Sequence, residues 1–289
     1  MTVVKNKAIA KSNKLKLGRV FLWIAVVFVV VFCLAPVLWQ LLTSFKTNEA
    51  ISAIPNVYFP APSQLTLDHY LSLGWGFFRY VFNSAFVSII STFLCLAVGA
   101  PAAYTLARLR IPGENIILGC VLIISLFPYV LLFLGLLEVV KAFNLGNNYI
   151  ALIVPYTAIN LPLTILVLRS FFQQLPKDLE DSAKIDGYNT VSMLLKIVLP
   201  LTVPALVTTG ILTFIFAWNE FIFALTFITR QEMYTIPVAV AQIGSSSLYE
   251  IPYGAIAAAT VAGTLPLLVL VLAFQRRIVQ GITAGAVKG

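Results

Sequence analysis

Six runs of about twenty or more mostly apolar residues dominate the chain, at 20–42, 80–107, 115–137, 149–171, 203–228 and 255–275. A helix needs roughly 20 such residues, at 1.5 Å each, to cross the approximately 30 Å of hydrocarbon in a bilayer. Backbone amides find no water there, so a spanning segment must be a helix or part of a closed barrel, and runs this long read as helices. The chain is 60% hydrophobic over 289 residues with a mean hydropathy of +0.96. Soluble domains lie near 45–50% apolar, which puts this one among membrane proteins. The sequence therefore predicts an all-α membrane protein of six transmembrane helices. The first run is longer than a signal-peptide core and has no convincing small-residue cleavage site, so it reads as a retained anchor.

The net charge of +8 is explained by topology. With the N-terminus inside, Lys5, Lys7, Lys11, Lys14, Lys16 and Arg19 fall on the inner side, with Arg108 and Arg110. Arg169, Lys177, Lys184 and Lys196 join them, as do Arg276, Arg277 and Lys288. Only Lys46, Arg79, Lys141 and Arg230 fall outside. Inner loops carry the excess of Lys and Arg, so both termini are expected in the cytoplasm and nucleic acid is not an expected partner. Cys33, Cys95 and Cys120 all lie in apolar runs and give no disulfide framework. The single histidine, His69, has no second ligand beside it and reads as a polar loop residue.

Between the spans the segments are uneven. The outer stretch at about 43–79 is punctuated by Pro55, Pro60, Pro62, Gly74 and Gly76, with Trp75 suited to the interface. The outer stretch at about 229–254 holds Gly244 and Ser245–Ser247, suited to a partner contact or a plain turn. Pro112-Gly113 makes a tight inner turn. Pro101, Pro128, Pro155, Pro162, Pro204 and Pro266 lie inside runs, where each removes a donor and tends to kink its helix. Gly99, Ala103 and Ala107, and Gly254, Ala258 and Ala262, recur every four residues or so and offer faces for close helix packing.

One stretch breaks the greasy pattern: LPKDLEDSAKIDGYNTVSMLLKIVLP, residues 175–200. Pro176 suits the first turn of a helix, and Asp178, Glu180 and Asp181 lie near its positive end. Gly187 fits a left-handed stop, and Asn189 can cap a second helix. There Val191, Leu194, Leu195 and Val198 follow the spacing of one apolar face, with Pro200 ending the helix at the membrane. The expected product is a helix–turn–helix at the inner surface. It is either a solvated connector or a rigid knob for a cleft on a partner.

The same stretch resembles the cytoplasmic motif of binding-protein-dependent ATP-binding-cassette (ABC) importer permeases, Glu-Ala-Ala, three residues, Gly, nine residues, Ile-x-Leu-Pro. Here the positions are Asp181, Ser182, Ala183, Gly187, Ile197, Leu199 and Pro200, with Asp for Glu and Ser for the first Ala. Trp218-Asn219-Glu220-Phe221 and the ending QRRIVQGITAGAVKG are similar to the carbohydrate, maltose- or trehalose-type, branch. The likeness runs from about Arg79 to the C-terminus. It implies the type I importer fold, with a first segment at 1–78, a transmembrane core at 79–275 bearing coupling helices at 175–200, and a tail at 276–289. It also implies a bacterial or archaeal cytoplasmic membrane and a sugar substrate such as maltose or trehalose, with glycerol phosphate an alternative solute.

The implied partners are a second permease subunit, two cytoplasmic ATPase subunits and an extracytoplasmic solute-binding protein, besides membrane lipid. The chain has no G-x-x-x-x-G-K-[ST] loop, so ATP and Mg belong to the ATPase partner and this subunit is not expected to be an enzyme. Intramembrane carboxylates are costly, about 2.5–3.5 kcal/mol at a helix centre, which makes Glu220 a substrate-pathway candidate. Asn219 and Trp218 accompany it, with Asn160, Tyr156 and Tyr129 near prolines of other spans; packing is the competing reading for each. The tail is expected to be mobile or to touch the ATPase subunits. An ion-gradient-driven secondary transporter is the rival reading, but it leaves the polar helix–turn–helix unexplained.

Overall fold

The computed structural model describes residues 2–109, 111–244 and 251–286, with side chains over 19–109, 111–244 and 251–275. Ser245–Ser247 and the side chains of the 276–289 tail lie outside that set. Among the described residues the chain is helical throughout, its only β pairing being the isolated bridge between Lys46 and Leu65. It divides into two compact units, Met1–Ser72 with Ser247–Val261 and Leu73–Ser246 with Ala262–Gly289.

In the first unit α1 (Thr2–Thr43) carries an apolar stretch, Arg19–Thr43, most of whose side chains are exposed, as lipid contact requires. Short helices α2 (Asn48–Ser52) and α3 (Asp68–Leu73) follow. Lys46 is pinned between them. Thr47 N–H donates to the Gln64 carbonyl at 2.9 Å and Thr66 N–H to the Phe45 carbonyl at 2.7 Å. His69, expected as a plain loop residue, is buried, with Nε2 2.8 Å from the Lys46 carbonyl. A carbonyl only accepts, so Nε2 carries the proton. A Cβ on Gly254 would collide with the His69 ring, and Ala257–Ala259 are buried behind it. The small-residue face anticipated on this helix thus packs against a histidine.

The second unit is built on α4 (Gly76–Arg108), α7 (Ile150–Gln174) and α11 (Val203–Asn219). A Cβ on Gly99 would stand 2.6 Å from Thr164 Cγ2, so glycine sets how closely α4 and α7 approach. Ser91 and Cys95 of α4 are buried at this contact, with Cys95 Sγ 3.2 Å from Thr164 Oγ1. The third apolar run is divided into α5 (Glu114–Leu126) and a 3₁₀ turn leading into α6 (Phe133–Ala142), bent by 88°. Its break has a local cause. Phe127 is extended (φ −72°, ψ 132°), the conformation forced on a residue before proline, here Pro128.

After α7 come α8 (Lys177–Ile185), α9 (Thr190–Met193), a π turn at Leu194–Val198 and α10 (Leu199–Leu201). The path turns by 81° at Thr202 before α11, two residues beyond Pro200. The rest is α12 (Ile222–Phe227), α13 (Ile236–Gly244) and α14 (Tyr253–Ala286), which supplies residues to both units. Among the described residues four helices are long and apolar enough to cross a membrane, or up to six if each bent pair makes one crossing.

Candidate functional site

The 175–200 stretch forms two short helices about a left-handed turn. In α8 the acids Asp178 and Glu180 occupy the first turn and Lys184 the last, each opposite in sign to the helix end it faces. Gly187 takes φ +83°, where an L side chain is strained. Around it Gly187 N–H donates to the Lys184 carbonyl at 3.1 Å and Tyr188 N–H to the Ala183 carbonyl at 3.0 Å. Asn189 Oδ1 then accepts from Ser192 N–H at 2.8 Å, capping α9.

The element has two sides. Ala183 is buried with Met193, Leu194 and Val198 against Ala100, Ala103 and Tyr104 of α4 and Leu168 and Phe172 of α7. Ile197 and Leu199 border that cluster, half-buried. Asp181, Ser182, Gly187 and Pro200 are exposed, with Asp181 carrying only an ion pair to Lys184 at 3.3 Å. The apolar face differs from the one the spacing predicts: Val191 and Leu195 are exposed, and Met193 takes a buried place. The covered set Met193, Leu194, Ile197 and Val198 keeps a helical spacing but is turned by about one position, because packing on α4 and α7 decides which side of so short a helix is covered.

One arginine fastens this element to the long helices, and a second ties α7 to α4 and α5 beside it. Arg108, the last residue of α4, pairs through Nε with Glu180 Oε1 at 2.9 Å, the side chains 5% and 11% exposed. A terminal nitrogen of Arg108 also donates to the Leu175 carbonyl. Arg169 of α7 donates from Nε to the Leu106 carbonyl at 3.0 Å and pairs with Glu114 of α5 at 2.8 Å. Sequence reasoning treated these arginines only as topological charge. The signal within reach was a short one: each arginine stands at the inner end of an apolar run, the end at which the acidic 178–186 segment is also expected.

The intramembrane candidates separate. Glu220 is buried at the break between α11 and α12, and its carboxylate works as a helix cap. Oε1 accepts from Phe223 N–H at 3.0 Å and Oε2 from Ala224 N–H at 3.3 Å and from the Tyr156 hydroxyl. Three donors therefore offset the cost of its burial. Tyr156 is fully buried, stacked beside Phe223, while Tyr129 sets its ring edge-on to Phe216 and Phe223. Asn160 is buried one turn along α7, donating to the Tyr156 carbonyl at 2.8 Å. Trp218 is buried beside Phe214, whereas Asn219 is exposed and donates to the Ile215 carbonyl at 2.8 Å. Glu220, Tyr156 and Tyr129 thus share one aromatic cluster, and Asn219 stands outside it. Among the described residues no group of three metal-ligating side chains occurs.

Residues 96–284, which contain both the helix–turn–helix and the Glu220 break, match the family model described as the binding-protein-dependent transport system inner membrane component. The chain belongs to that family. It is a multi-pass membrane protein and an ABC importer permease subunit. It is 40% identical over 263 residues to the trehalose transport system permease protein SugB of Mycobacterium tuberculosis, covering 90% of this chain and 94% of that one. The sulfoquinovosyl glycerol transport system permease protein SmoH of Agrobacterium fabrum is 39% identical over 94% of this chain and 95% of its own. The trehalose/maltose transport system permease protein MalG of Thermococcus litoralis is 37% identical, over 94% and 98%. A solved bacterial ABC transporter for import of the acidic polysaccharide alginate contains a chain of the same fold. It superimposes with a TM-score of 0.75 at 21% identity, over 89% of this permease and 96% of that chain.

Proposed function

We propose that this permease moves a di- or oligosaccharide of the trehalose or maltose type inward across a cytoplasmic membrane, driven by ATP hydrolysed in separate subunits. The observation that carries the coupling half of this reading is the two-sided α8–α9 element. One side is locked into α4 and α7, and the other presents Asp181, Ser182 and the Gly187 turn outward. An ATPase subunit seated on that outward side moves α8 when nucleotide closes the ATPase dimer. Arg108 then carries the displacement into α4, biasing a two-state rearrangement of the spans. The sugar half is supported by relatives of 37–40% identity named for trehalose, maltose and a sulfosugar glycerol.

In this reading each bent pair makes one crossing, giving six spans with both termini in the cytoplasm. Residues 79–275 are the translocating core, working beside a second permease subunit and an extracytoplasmic binding protein. Residues 276–289 contact the ATPase subunits. Asp181, Ser182, Ala183, Gly187, Ile197, Leu199 and Pro200 form the coupling element. Of the pathway candidates, exposed Asn219 is the one free to meet a sugar hydroxyl, while Glu220, Tyr156, Tyr129, Asn160 and Trp218 shape the wall behind it.

The test is gentle purification of the tagged chain from native membranes, followed by ATPase assay with binding protein and trehalose or maltose. A co-purifying ATPase stimulated by loaded binding protein is the expected result. A chain that emerges without ATPase, with uptake abolished by collapsing the ion gradient, overturns the reading.

A further inference from the structure

The first unit holds a feature that the coupling element and the aromatic cluster do not use. At the end of α1 away from its basic N-terminal segment lies a cavity of about 360 Å³, lined among others by Trp39, Gln40, Thr43, Lys46, Ser52 and Asn56. That is within the size range of small-molecule sites. Lys46 is 2% exposed. A lysine at a helix end ordinarily buries its stem and lifts its ammonium into water. Here the ammonium stays inside, donating to the Val57 carbonyl and lying 4.2 Å from the centroid of the Trp39 ring. These are two neutral partners for a cation with three donors. Among the described residues no carboxylate oxygen lies within 4.0 Å of it. Burial accordingly lowers its pKa from the ordinary lysine value.

The cation is held in place from several directions. Its backbone makes the bridge to Leu65, and its carbonyl meets the His69 ring. A desolvated charge fixed beside an open cavity, whose mostly apolar lining is interrupted by the amides and hydroxyls of Gln40, Thr43, Ser52 and Asn56, is stabilised by an anion entering that cavity. We propose that this cavity binds a phosphate group, with Lys46 as its counter-charge and Gln40, Thr43, Ser52 and Asn56 meeting the remaining oxygens. A neutral sugar would satisfy the amides and hydroxyls but leave the ammonium uncompensated. The phosphate comes either from an anionic phospholipid headgroup or from free phosphate. The lipid source is favoured by the exposed apolar side chains of Val37, Leu38 and Leu41 on α1 just before Lys46, which give acyl chains a surface.

Native mass spectrometry of the detergent-solubilised permease complex tests this with three probes: dioleoylphosphatidylglycerol, dioleoylphosphatidylcholine and inorganic phosphate. The expected result is a preference of about tenfold or more for phosphatidylglycerol over phosphatidylcholine, abolished in Lys46→Gln, the size of effect carried by a charge-assisted hydrogen bond. Persistence of that preference in millimolar inorganic phosphate supports the lipid source. Binding of inorganic phosphate that Lys46→Gln removes, without a lipid preference, supports the free anion. Equal binding of all three probes by wild type and Lys46→Gln overturns the proposal. Gln40→Trp fills the cavity while leaving the cation, and it decides the matter in the same way if Lys46→Gln loses helicity or its size-exclusion profile. None of these readouts depends on which solute is transported.

Discussion

Replacing Arg108 by leucine should release α8 from the end of α4. The guanidinium pairs with Glu180 at 2.9 Å with both side chains nearly buried, and it also holds the Leu175 carbonyl. Removing one partner of a buried pair costs about 3–5 kcal/mol, because the remaining charge is left uncompensated. The lower end applies here, since the neighbouring cavity lined by Lys177, Asp181 and Lys184 is polar and lets water reach Glu180. At about 1.4 kcal/mol per tenfold, 3 kcal/mol lowers the docked-to-undocked ratio of α8 by roughly a hundredfold. Hydrogen exchange reads this directly at the amides of Asp186, Gly187 and Tyr188, which bond back to Ser182, Lys184 and Ala183. Their exchange should accelerate by about that factor while α4 amides above Gly99 stay protected. In reconstituted complexes ATP hydrolysis should continue with little transport. The double variant Arg108→Leu/Glu180→Leu should restore much of the protection, because an apolar pair of similar volume leaves no stranded charge. Unchanged exchange at 186–188 in a folded Arg108→Leu protein would refute the clamp, as would a double variant no better protected than the single one.

Other substitutions probe the remaining supports. Gly187→Val should uncouple ATP hydrolysis from sugar uptake without impairing insertion, since nothing lies within 4 Å of the site and the whole penalty, about 1–2 kcal/mol, is backbone strain at φ +83°. Gly187→Asn, tolerant of that conformation, should stay nearer wild type in the same assay. Glu220→Ala should lower the thermal stability of the purified chain by several kcal/mol, roughly 1–3 for each buried donor left unpaired, with Glu220→Gln milder because one oxygen remains to accept. A melting profile equal to wild type for Glu220→Ala would exclude the capping role. Gly99→Leu should reduce the yield of folded protein, because even the first carbon of the side chain would stand 2.6 Å from Thr164. Thr164→Ala in the same chain should recover part of it.

What the sequence by itself determined is whatever rests on neighbours in the chain. Apolar runs had to become helices, since helical hydrogen bonds close within a few residues and lipid offers no other partners. Gly187 and Asn189 could be read as stop and cap because both act across three or four positions. Pro128 marked a distortion in the third run for the same reason, although its 88° size was not readable. Tertiary structure decided the rest, because the partners are far apart in sequence. Arg108 meets Glu180, 72 positions further along a chain folded back by α7, and Tyr156 meets Glu220 only because α7 and α11 pack together. Glu220 thereby changed from an isolated charge in a greasy run to the cap of α12. The face of α9 also needed the third dimension, since packing against α4 and α7 decides which side of a one-turn helix is covered. Lys46 is the plainest case: one cation in an outer segment by sequence, it is buried because Trp39, Val57 and His69 converge on it.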